Sequence, residues 1–209
     1  MRKITKGDEP AALTQWKRAN PRGRYPDLTR ESSKSIRQAC VEEQHGLCAY
    51  CCHEITPENA RNEHVQAQKI APNRTVDFSN IVASCDRPRQ CDKAHAHQVL
   101  PLTPLMDECE TELKFYISGR VEGLTPRAAT AIQVLNLGDT PEANRTLVNT
   151  RKSLLDLMLF DYGMAGNDLK AEDSELLTAL MEDLKLPDAN NRLKPFSPVM
   201  VNVIRHLTA

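Results

Sequence analysis

The strongest constraint on this chain of 209 residues is the placement of its cysteines, four of which form two pairs. Two residues separate Cys48 from Cys51, and five separate Cys85 from Cys91. A two-residue gap lets a tight turn present two thiolates to one Zn²⁺, which prefers four nitrogen or sulfur ligands in a tetrahedron. The wider second pair requires residues 86–90 to loop out. We therefore expect a closed, structural zinc site that replaces hydrophobic core in a small subdomain.

The register of this zinc site is open, because Cys52 and His53 directly follow Cys51 and offer competing ligands. The alternative without metal is a set of buried free thiols, which is the less common outcome for paired cysteines in an intracellular chain. Cys40 and Cys109 lie outside the pairs, and we expect them to be small core residues.

Residues suited to acid–base chemistry lie inside and directly after the cysteine frame: Glu63, His64, Asn80, Asp92 and His95. A neutral histidine can take a proton from water near neutral pH. On a strand, the adjacent Glu63 and His64 would point to opposite faces, so that one faces a metal and the other faces the water. We expect Asn80 to accept the imidazole N–H of His64 and to fix its tautomer.

A second metal site is predicted from the two carboxylates. Glu63 and Asp92 would bind a catalytic Mg²⁺ or Mn²⁺, which can stabilise the negative charge that develops on a phosphate. His95 lies three residues after Asp92 and shares its face if this turn is helical. The role of His95 stays open between a metal ligand, a phosphate contact and a packed side chain. Each residue alone is weak evidence. The prediction rests on their position between the paired cysteines or directly after them.

Charge is distributed unevenly, although the net charge is only −1. Residues 1–40 hold ten basic and four acidic side chains, whereas residues 154–190 hold nine acidic and two basic ones. The basic segment predicts phosphate contacts that weaken as salt rises, and its alternative is a solvated, flexible N-terminus. The first candidates for phosphate contacts are Lys17, Arg18, Arg22 and Arg24.

The apolar pattern contains no run near the roughly 20 residues of a membrane helix. The first residues have no apolar core of a signal peptide behind them. We therefore expect a cytoplasmic protein without a membrane partner.

Hydrophobic spacing predicts an α+β fold in three parts. These are a basic N-terminal arm and helix over 1–44, a core with structural zinc over 45–110, and a β-hairpin followed by helices over 111–209. Shorter elements predicted within them are helices over Ala11–Arg18 and Arg30–Gln44, a strand over Asn62–Val65, and a helix or turn over Asn80–Ser84.

The order of the reactive residues resembles the HNH, or ββα-metal, endonucleases that carry a zinc-binding frame. The shared order is Cys-x-x-Cys, Glu-His, Asn, Cys and Cys-Asp-x-x-His, over residues 48–95. Within that family the chain is similar to the HNH component of Septu and retron-associated phage-defence systems. This similarity lies in MRKITKG at 1–7, EQHGLCAYC at 43–51 and FSNIVASC at 78–85. The helical second half matches only in general shape.

The resemblance implies a ββα-metal (HNH) core and a metal-dependent hydrolase of phosphodiester bonds. His64 would be the general base, Glu63 the metal ligand before it, Asn80 the residue that orients the base, and Asp92 the third motif residue. The implied partners are a nucleic acid substrate, an ABC-type ATPase and, in retron versions, a reverse transcriptase with its RNA–DNA hybrid. Residues 65–68 lack the proline that is usual in the family after the Glu-His pair. The lysine that the family often has after the last cysteine is out of register here, with Lys93 close to its place and His95 as the alternative occupant.

Three functions remain under consideration. The first is a nuclease that acts as the toxic effector in phage defence, with DNA as the default substrate and RNA, including transfer RNA, as the alternative. The second is a zinc-knuckle module that binds nucleic acid without cutting it, and the third is an adaptor whose acidic helical half docks a large partner. A pure binder needs basic and aromatic residues inside the knot, whereas this one holds acids, histidine and asparagine. Uncontrolled cutting would harm the host, so we expect low activity of the isolated protein.

Overall fold

Seven α-helices and two antiparallel strand pairs form the part of the chain described by the computed structural model, which covers residues 1–140, 143–164, 169 and 174–208. The helices are α1 (Ala11–Ala19), α2 (Arg30–Glu43), α3 (Asp92–His95), α4 (Pro126–Leu135), α5 (Arg145–Asp161), α6 (Ser174–Lys185) and α7 (Ser197–Thr208). The strands are β1 (Ala60–His64), β2 (Ile81–Cys85), β3 (Leu113–Phe115) and β4 (Val121–Gly123). The predicted α+β class is confirmed. Of the acidic segment, Asp168, Glu172 and Asp173 lie outside the described residues.

The N-terminal arm is packed against the core, so the alternative of a solvated, flexible segment does not describe it. Its buried apolar side chains are Met1, Ile4, Leu13 and Trp16. Lys6 Nζ donates to the carbonyl oxygen of Ile81 at 2.7 Å, lies 3.7 Å from the ring centroid of Phe78 and pairs with Glu43. Part of the basic charge of the arm therefore serves internal contacts.

Strands β1 and β2 pair in an antiparallel register that places Glu63 opposite Val82 and His64 opposite Ile81. Of the helix or turn expected over Asn80–Ser84, only Asn80 lies in a helical turn, Phe78–Asn80, and the residues after it form strand β2 instead. The β-branched side chains of Ile81 and Val82 favour extended backbone, and every residue of β2 is buried, which suits a strand covered on both faces.

The C-terminal half consists of the β3–β4 hairpin followed by helices α4 to α7, as the hydrophobic spacing predicts. Helix α7 contacts β3 through Asn202, whose Oδ1 accepts from the Phe115 amide at 2.8 Å. Buried side chains from all three predicted parts of the chain, such as Ile36, Tyr50 and Leu155, belong to one hydrophobic cluster. None of the described helices has both the length and the apolar character needed to cross a membrane.

Gln44 joins the end of α2 to the segment that carries the first cysteine pair. Its buried side-chain Nε2 donates to the carbonyl oxygens of Leu47 and Ala83, both at 2.8 Å, and its Oε1 accepts from the Ala83 amide at 2.7 Å. The Ala49 amide also donates to the Ala83 carbonyl, at 3.0 Å. The carboxamide of Gln44 therefore sets the distance between the cysteine turn and β2.

We expect the Gln44→Leu substitution to lower the free energy of unfolding by about 2–4 kcal/mol, because it leaves buried backbone groups of Leu47 and Ala83 without their partners. Urea denaturation would measure the loss. Gln38→Leu, on the exposed side of the same helix, is the matched control and should change stability by no more than about 0.5 kcal/mol. Equal losses in the two variants would contradict the role of Gln44.

Candidate functional site

Four buried cysteines meet where the turn after α2, the end of β2 and the start of α3 come together. The Sγ atoms of Cys48, Cys51, Cys85 and Cys91 lie within 4.8 Å of one another, and those of Cys51 and Cys85 are 3.9 Å apart. A tetrahedral zinc ion with Zn–S distances of about 2.3 Å requires sulfur–sulfur distances of about 3.8 Å. All four are free thiols. The predicted ligand set is therefore brought together, and this cysteine group could hold a zinc ion.

Cys52 and His53 are not members of the cysteine group, although they follow Cys51 directly. The backbone at Cys52 has a φ of 62°, and the His53 ring nitrogens bond elsewhere, Nε2 to Arg87 at 2.5 Å and Nδ1 to the Glu54 carbonyl at 2.9 Å. The structure thus resolves the register that the spacing left open. The two cysteines outside the pairs, Cys40 and Cys109, lie in the core as expected, and burial raises the pKa of each to about 12.

The pKa values of the thiols within the cysteine group shift in opposite directions. Burial opposes a thiolate at Cys48, but hydrogen bonds from the thiols of Cys51, Cys85 and Cys91 outweigh burial and hold the pKa of Cys48 well below its usual value. Burial, together with Cys48, holds the pKa of Cys91 well above its usual value. Four thiolates at this point would need a dication to neutralise them.

A glutamine side chain contacts the sulfur atoms from outside the group. Gln90 is buried, and its Nε2 donates to the Sγ atoms of Cys85 at 3.5 Å and Cys51 at 3.8 Å. The backbone amide of Cys85 donates to Cys48 Sγ at 3.3 Å. Such donors stabilise thiolate charge and orient the ligands.

Arg151 of α5 is a buried cation whose charge interacts with the same cysteines. Its side chain is fully buried, and it donates to the carbonyl oxygens of Gly119 at 2.5 Å and Leu137 at 3.2 Å. It has no carboxylate partner among the described residues. Burial lowers the pKa of Arg151 to about 10, and electrostatic interaction with Cys51, Cys52 and Cys91 opposes that shift. Because a buried charge is costly unless compensated, a zinc–thiolate group with net negative charge would suit this arginine.

Glu63 and His95 form a buried pair on one face of β1. Glu63 Oε1 lies 2.5 Å from His95 Nδ1 and accepts from the Tyr50 hydroxyl at 3.1 Å. Because His95 Nε2 donates to the Gln98 carbonyl at 2.9 Å, the short Nδ1 contact requires a further proton shared by the pair. Burial raises the pKa of Glu63 to about 7. Burial also opposes the charged form of His95, but the Glu63 carboxylate outweighs it and raises the pKa of His95.

His64 lies on the opposite face of β1, as strand alternation predicts. Its Nε2 donates to the Thr75 carbonyl at 2.8 Å, and the Tyr25 ring packs edge-on against the imidazole with centroids 4.7 Å apart. Donation through Nε2 leaves the lone pair on Nδ1, which has no hydrogen-bond partner within the described part of the chain. Burial lowers the pKa of His64, so the ring is neutral near pH 7. A neutral imidazole with an uncommitted lone pair can act as a base.

Asn80 occupies a different position from the one expected. Its Oδ1 accepts from the Gln66 amide at 2.8 Å and its Nδ2 donates to the Gln66 carbonyl at 3.0 Å, while the carbonyl oxygen of Thr75 takes the expected place at the His64 ring. Asn80 therefore fixes the backbone two residues after His64, and its effect on the ring is indirect. The tautomer of His64 is set by a backbone group that no side-chain pattern reveals.

Asp92 begins α3 and is half-buried, with its amide donating to Ser84 Oγ at 3.3 Å. Its carboxylate interacts with Glu63, whose pKa it helps to raise, and its charge also acts on His64 and His95. Asp92 therefore acts on the buried pair of Glu63 and His95 through its charge. Among the described residues, the four cysteines are the only group of three or more such side chains placed to hold a metal ion, so the catalytic metal site expected at Glu63 and Asp92 stays a prediction.

The basic residues predicted to contact phosphate differ in their surroundings. Lys17 pairs with Glu9. Arg18, Arg22 and Arg24 are exposed and form no ion pair within the described residues. Because Arg24 precedes Tyr25, which packs on His64, this exposed basic loop borders the histidine.

Several residues that shape the site were not singled out from the sequence: Tyr25, Tyr50, Thr75, Gln90 and Arg151. The position of Tyr50 between two ligand cysteines could have suggested its contact with Glu63. Thr75 acts through its backbone carbonyl, and Arg151 lies far along the chain, so the sequence carries no local signal for either.

No model of a known protein family matches this chain. No curated protein shows significant similarity to it either. The site is therefore defined by its own geometry, as a four-cysteine group that could hold zinc beside a carboxylate–histidine cluster.

The register of the cysteine group can be tested with two neighbouring substitutions. We expect the wild-type protein and Cys52→Ala to contain one zinc ion per chain, whereas Cys51→Ala loses tightly bound zinc, because only Cys51 belongs to the ligand group. Atomic absorption on the purified proteins would measure zinc content. Zinc loss confined to Cys52→Ala would refute this register, and a zinc-free wild type would refute the site.

Proposed function

We propose that this protein is a metal-dependent HNH endonuclease that hydrolyses phosphodiester bonds in nucleic acid, with DNA as the first candidate substrate. The observation that carries the proposal is the neutral His64, whose Nδ1 lone pair is uncommitted, directly beside Glu63 in the strand. The chain order of β1, β2 and α3 supports a ββα-metal arrangement, because Glu63 and His64 end β1 and Asp92 and His95 lie in α3.

His64 would act as the general base. The Thr75 carbonyl holds Nε2 as the donor, so Nδ1 accepts the proton of the attacking water. Burial lowers the pKa of His64 and thereby keeps the ring unprotonated before the reaction. Tyr25 restricts the rotation of the ring by edge-on packing, and Asn80 fixes the backbone that follows it. These contacts preorganise the base, which lowers the cost of reaching the reactive geometry.

Glu63, Asp92 and His95 would hold the catalytic Mg²⁺ or Mn²⁺. Carboxylate oxygens are the ligands that Mg²⁺ prefers, and an imidazole is acceptable to Mn²⁺. When bound, such a cation neutralises the negative charge that develops on the phosphate. Tyr50 donates to Glu63 and orients its carboxylate.

The four-cysteine group would have a structural role in this enzyme. Four thiolates close the coordination sphere of zinc and leave no position for water or substrate. Cys85 is the last residue of β2 and Cys91 directly precedes α3. A zinc ion bound there would fix the position of Asp92 and His95 relative to Glu63.

The biological role that we propose is that of a toxic effector in phage defence, and it is supported by the sequence resemblance described above. The corresponding partners are an ABC-type ATPase and, in a retron version, a reverse transcriptase with its RNA–DNA hybrid. Such an effector must be restrained before infection, so the isolated chain should cut nucleic acid slowly.

We expect cleavage of plasmid DNA or of total RNA in the presence of Mg²⁺ or Mn²⁺, and a loss of at least about 100-fold in His64→Ala, because the water then has no base. Glu63→Gln should lose activity as well, since a neutral amide binds a dication more weakly. His97→Ala is the matched control, because His97 is exposed two residues beyond His95, and it should cut at the wild-type rate.

These assays need to be run with and without a co-encoded ABC-type ATPase, and with zinc content and thermal midpoint measured for each variant. Equal cleavage by the wild type and His64→Ala would refute the assignment of His64 as the general base. Binding of DNA or RNA without cleavage under any of these conditions would favour the zinc-knuckle binder or the adaptor.

A further inference from the structure

A cleft of about 580 Å³ lies between the loop that joins the second cysteine pair and the start of α5. Three arginines line it: Arg87 and Arg89 from the loop, and Arg145 from the first residue of α5. None of the described residues that line it is acidic. We call it the arginine cleft. The charge analysis of the sequence did not reveal it, because Arg145 is more than 50 residues away from the other two.

The arginines of the cleft have guanidinium N–H groups that donate to no described residue. Arg89 and Arg145 are exposed, and neither guanidinium has a hydrogen bond or an ion pair with any described residue. Arg87 makes one such bond, from Nη2 to His53 Nε2 at 2.5 Å. The described lining offers these three like charges no carboxylate, so they repel one another, and an anion between them would remove that repulsion.

The floor of the arginine cleft is built and connected to the cysteine group. Asn136 Nδ2 donates to the Arg89 carbonyl at 2.7 Å, and Asn144 Nδ2 donates to Gln90 Oε1 at 3.1 Å. Gln90 in turn donates to Cys85 Sγ at 3.5 Å. The loop that carries Arg87 and Arg89 is therefore held in place by hydrogen bonds from side-chain amides.

The lining of the cleft selects among anions. A free nucleotide is usually bound in a pocket with apolar or aromatic surface for the base. Pro88 is the only apolar residue among the described lining residues, and none of them is aromatic. Arginine forks bind phosphate oxygens in a bidentate manner, and contacts of this kind position a nucleic acid without reading its sequence.

The cleft also lies close to the proposed cleavage site along the chain. Only two residues lie between Arg89 and Asp92, so their Cα atoms are no more than about 11 Å apart. That distance corresponds to about three base pairs of B-form DNA. One polynucleotide could therefore contact both the arginine cleft and the proposed cleavage site.

We infer that the arginine cleft binds the phosphodiester backbone of a polynucleotide outside the cleavage site. The inference deepens the proposed nuclease function and rests on it for the identity of the bound strand as a substrate. Binding itself is measurable without cleavage, so the two proposals can fail separately.

The test is fluorescence anisotropy of the full-length protein with a labelled duplex of about 20 base pairs, and with an RNA of the same sequence, without added divalent cation. Salt would be varied from about 50 to 200 mM KCl, because each phosphate contact adds about 0.9 to the slope of log affinity against log salt. The triple variant Arg87→Gln, Arg89→Gln, Arg145→Gln should bind at least tenfold more weakly, with a slope smaller by about 2–3.

Lys185→Gln removes one positive charge outside the cleft and is the control for the single variants, since Lys185 is exposed on α6 and does not line the arginine cleft. It should keep the slope of the wild type. Zinc content and thermal midpoint would show that the triple variant is folded. If it is not, the single variants Arg89→Gln and Arg145→Gln, both at exposed positions, should each lower the slope by about 0.9.

An unchanged affinity and slope in the folded variants would overturn the inference, as would a wild type that binds neither probe. Displacement of the duplex from the wild type but not from the triple variant by millimolar ATP would assign the cleft to free nucleotides instead. Binding that depends on the arginines, without any cleavage, would support the role of the cleft and refute the nuclease proposal. Cleavage by a protein whose binding does not depend on the three arginines would refute the role of the cleft and leave the nuclease proposal intact.

Discussion

The rest of the site depends on the four-cysteine group, because its cysteines come from three separate parts of the fold and join them. Cys48 and Cys51 lie in the turn after α2, Cys85 ends β2, and Cys91 precedes α3. The apparent binding free energy of a structural zinc ion is about 10 kcal/mol or more, whereas a single hydrogen bond contributes about 1 kcal/mol. A zinc ion at this point would therefore outweigh any other single contact that positions α3 against β1.

Burial explains the protonation of the groups on both faces of β1. A buried charge is expensive, and the protein meets that cost in a different way on each face. Glu63 shares a proton with His95, whereas His64 is kept neutral and donates to a backbone carbonyl. Arg151 is the buried cation that interacts with the cysteines, so a negative zinc–thiolate group would complete its surroundings. The same penalty thus shapes the proposed base, the proposed metal ligands and the cysteine group.

Prediction from the sequence succeeded where the signal was local. The two-residue spacing of Cys48 and Cys51 implies a tight turn, and the adjacency of Glu63 and His64 implies opposite faces of a strand, because backbone dimensions determine both. It failed at Asn80, whose side chain fixes the backbone of Gln66 and leaves the His64 ring to a carbonyl oxygen. A side-chain amide and a backbone carbonyl are equally good acceptors, so the choice between them depends on packing.

The sequence by itself determined the α+β class and the four cysteines that come together, since these follow from residue type and short spacing. Only the tertiary structure excluded Cys52 from the cysteine group, placed His95 on Glu63 and brought Arg145 to the loop of Arg87 and Arg89. The physical reason is the same in each case. Contacts between distant parts of a chain are decided by how whole elements pack around a common core, and a one-dimensional pattern does not contain that information.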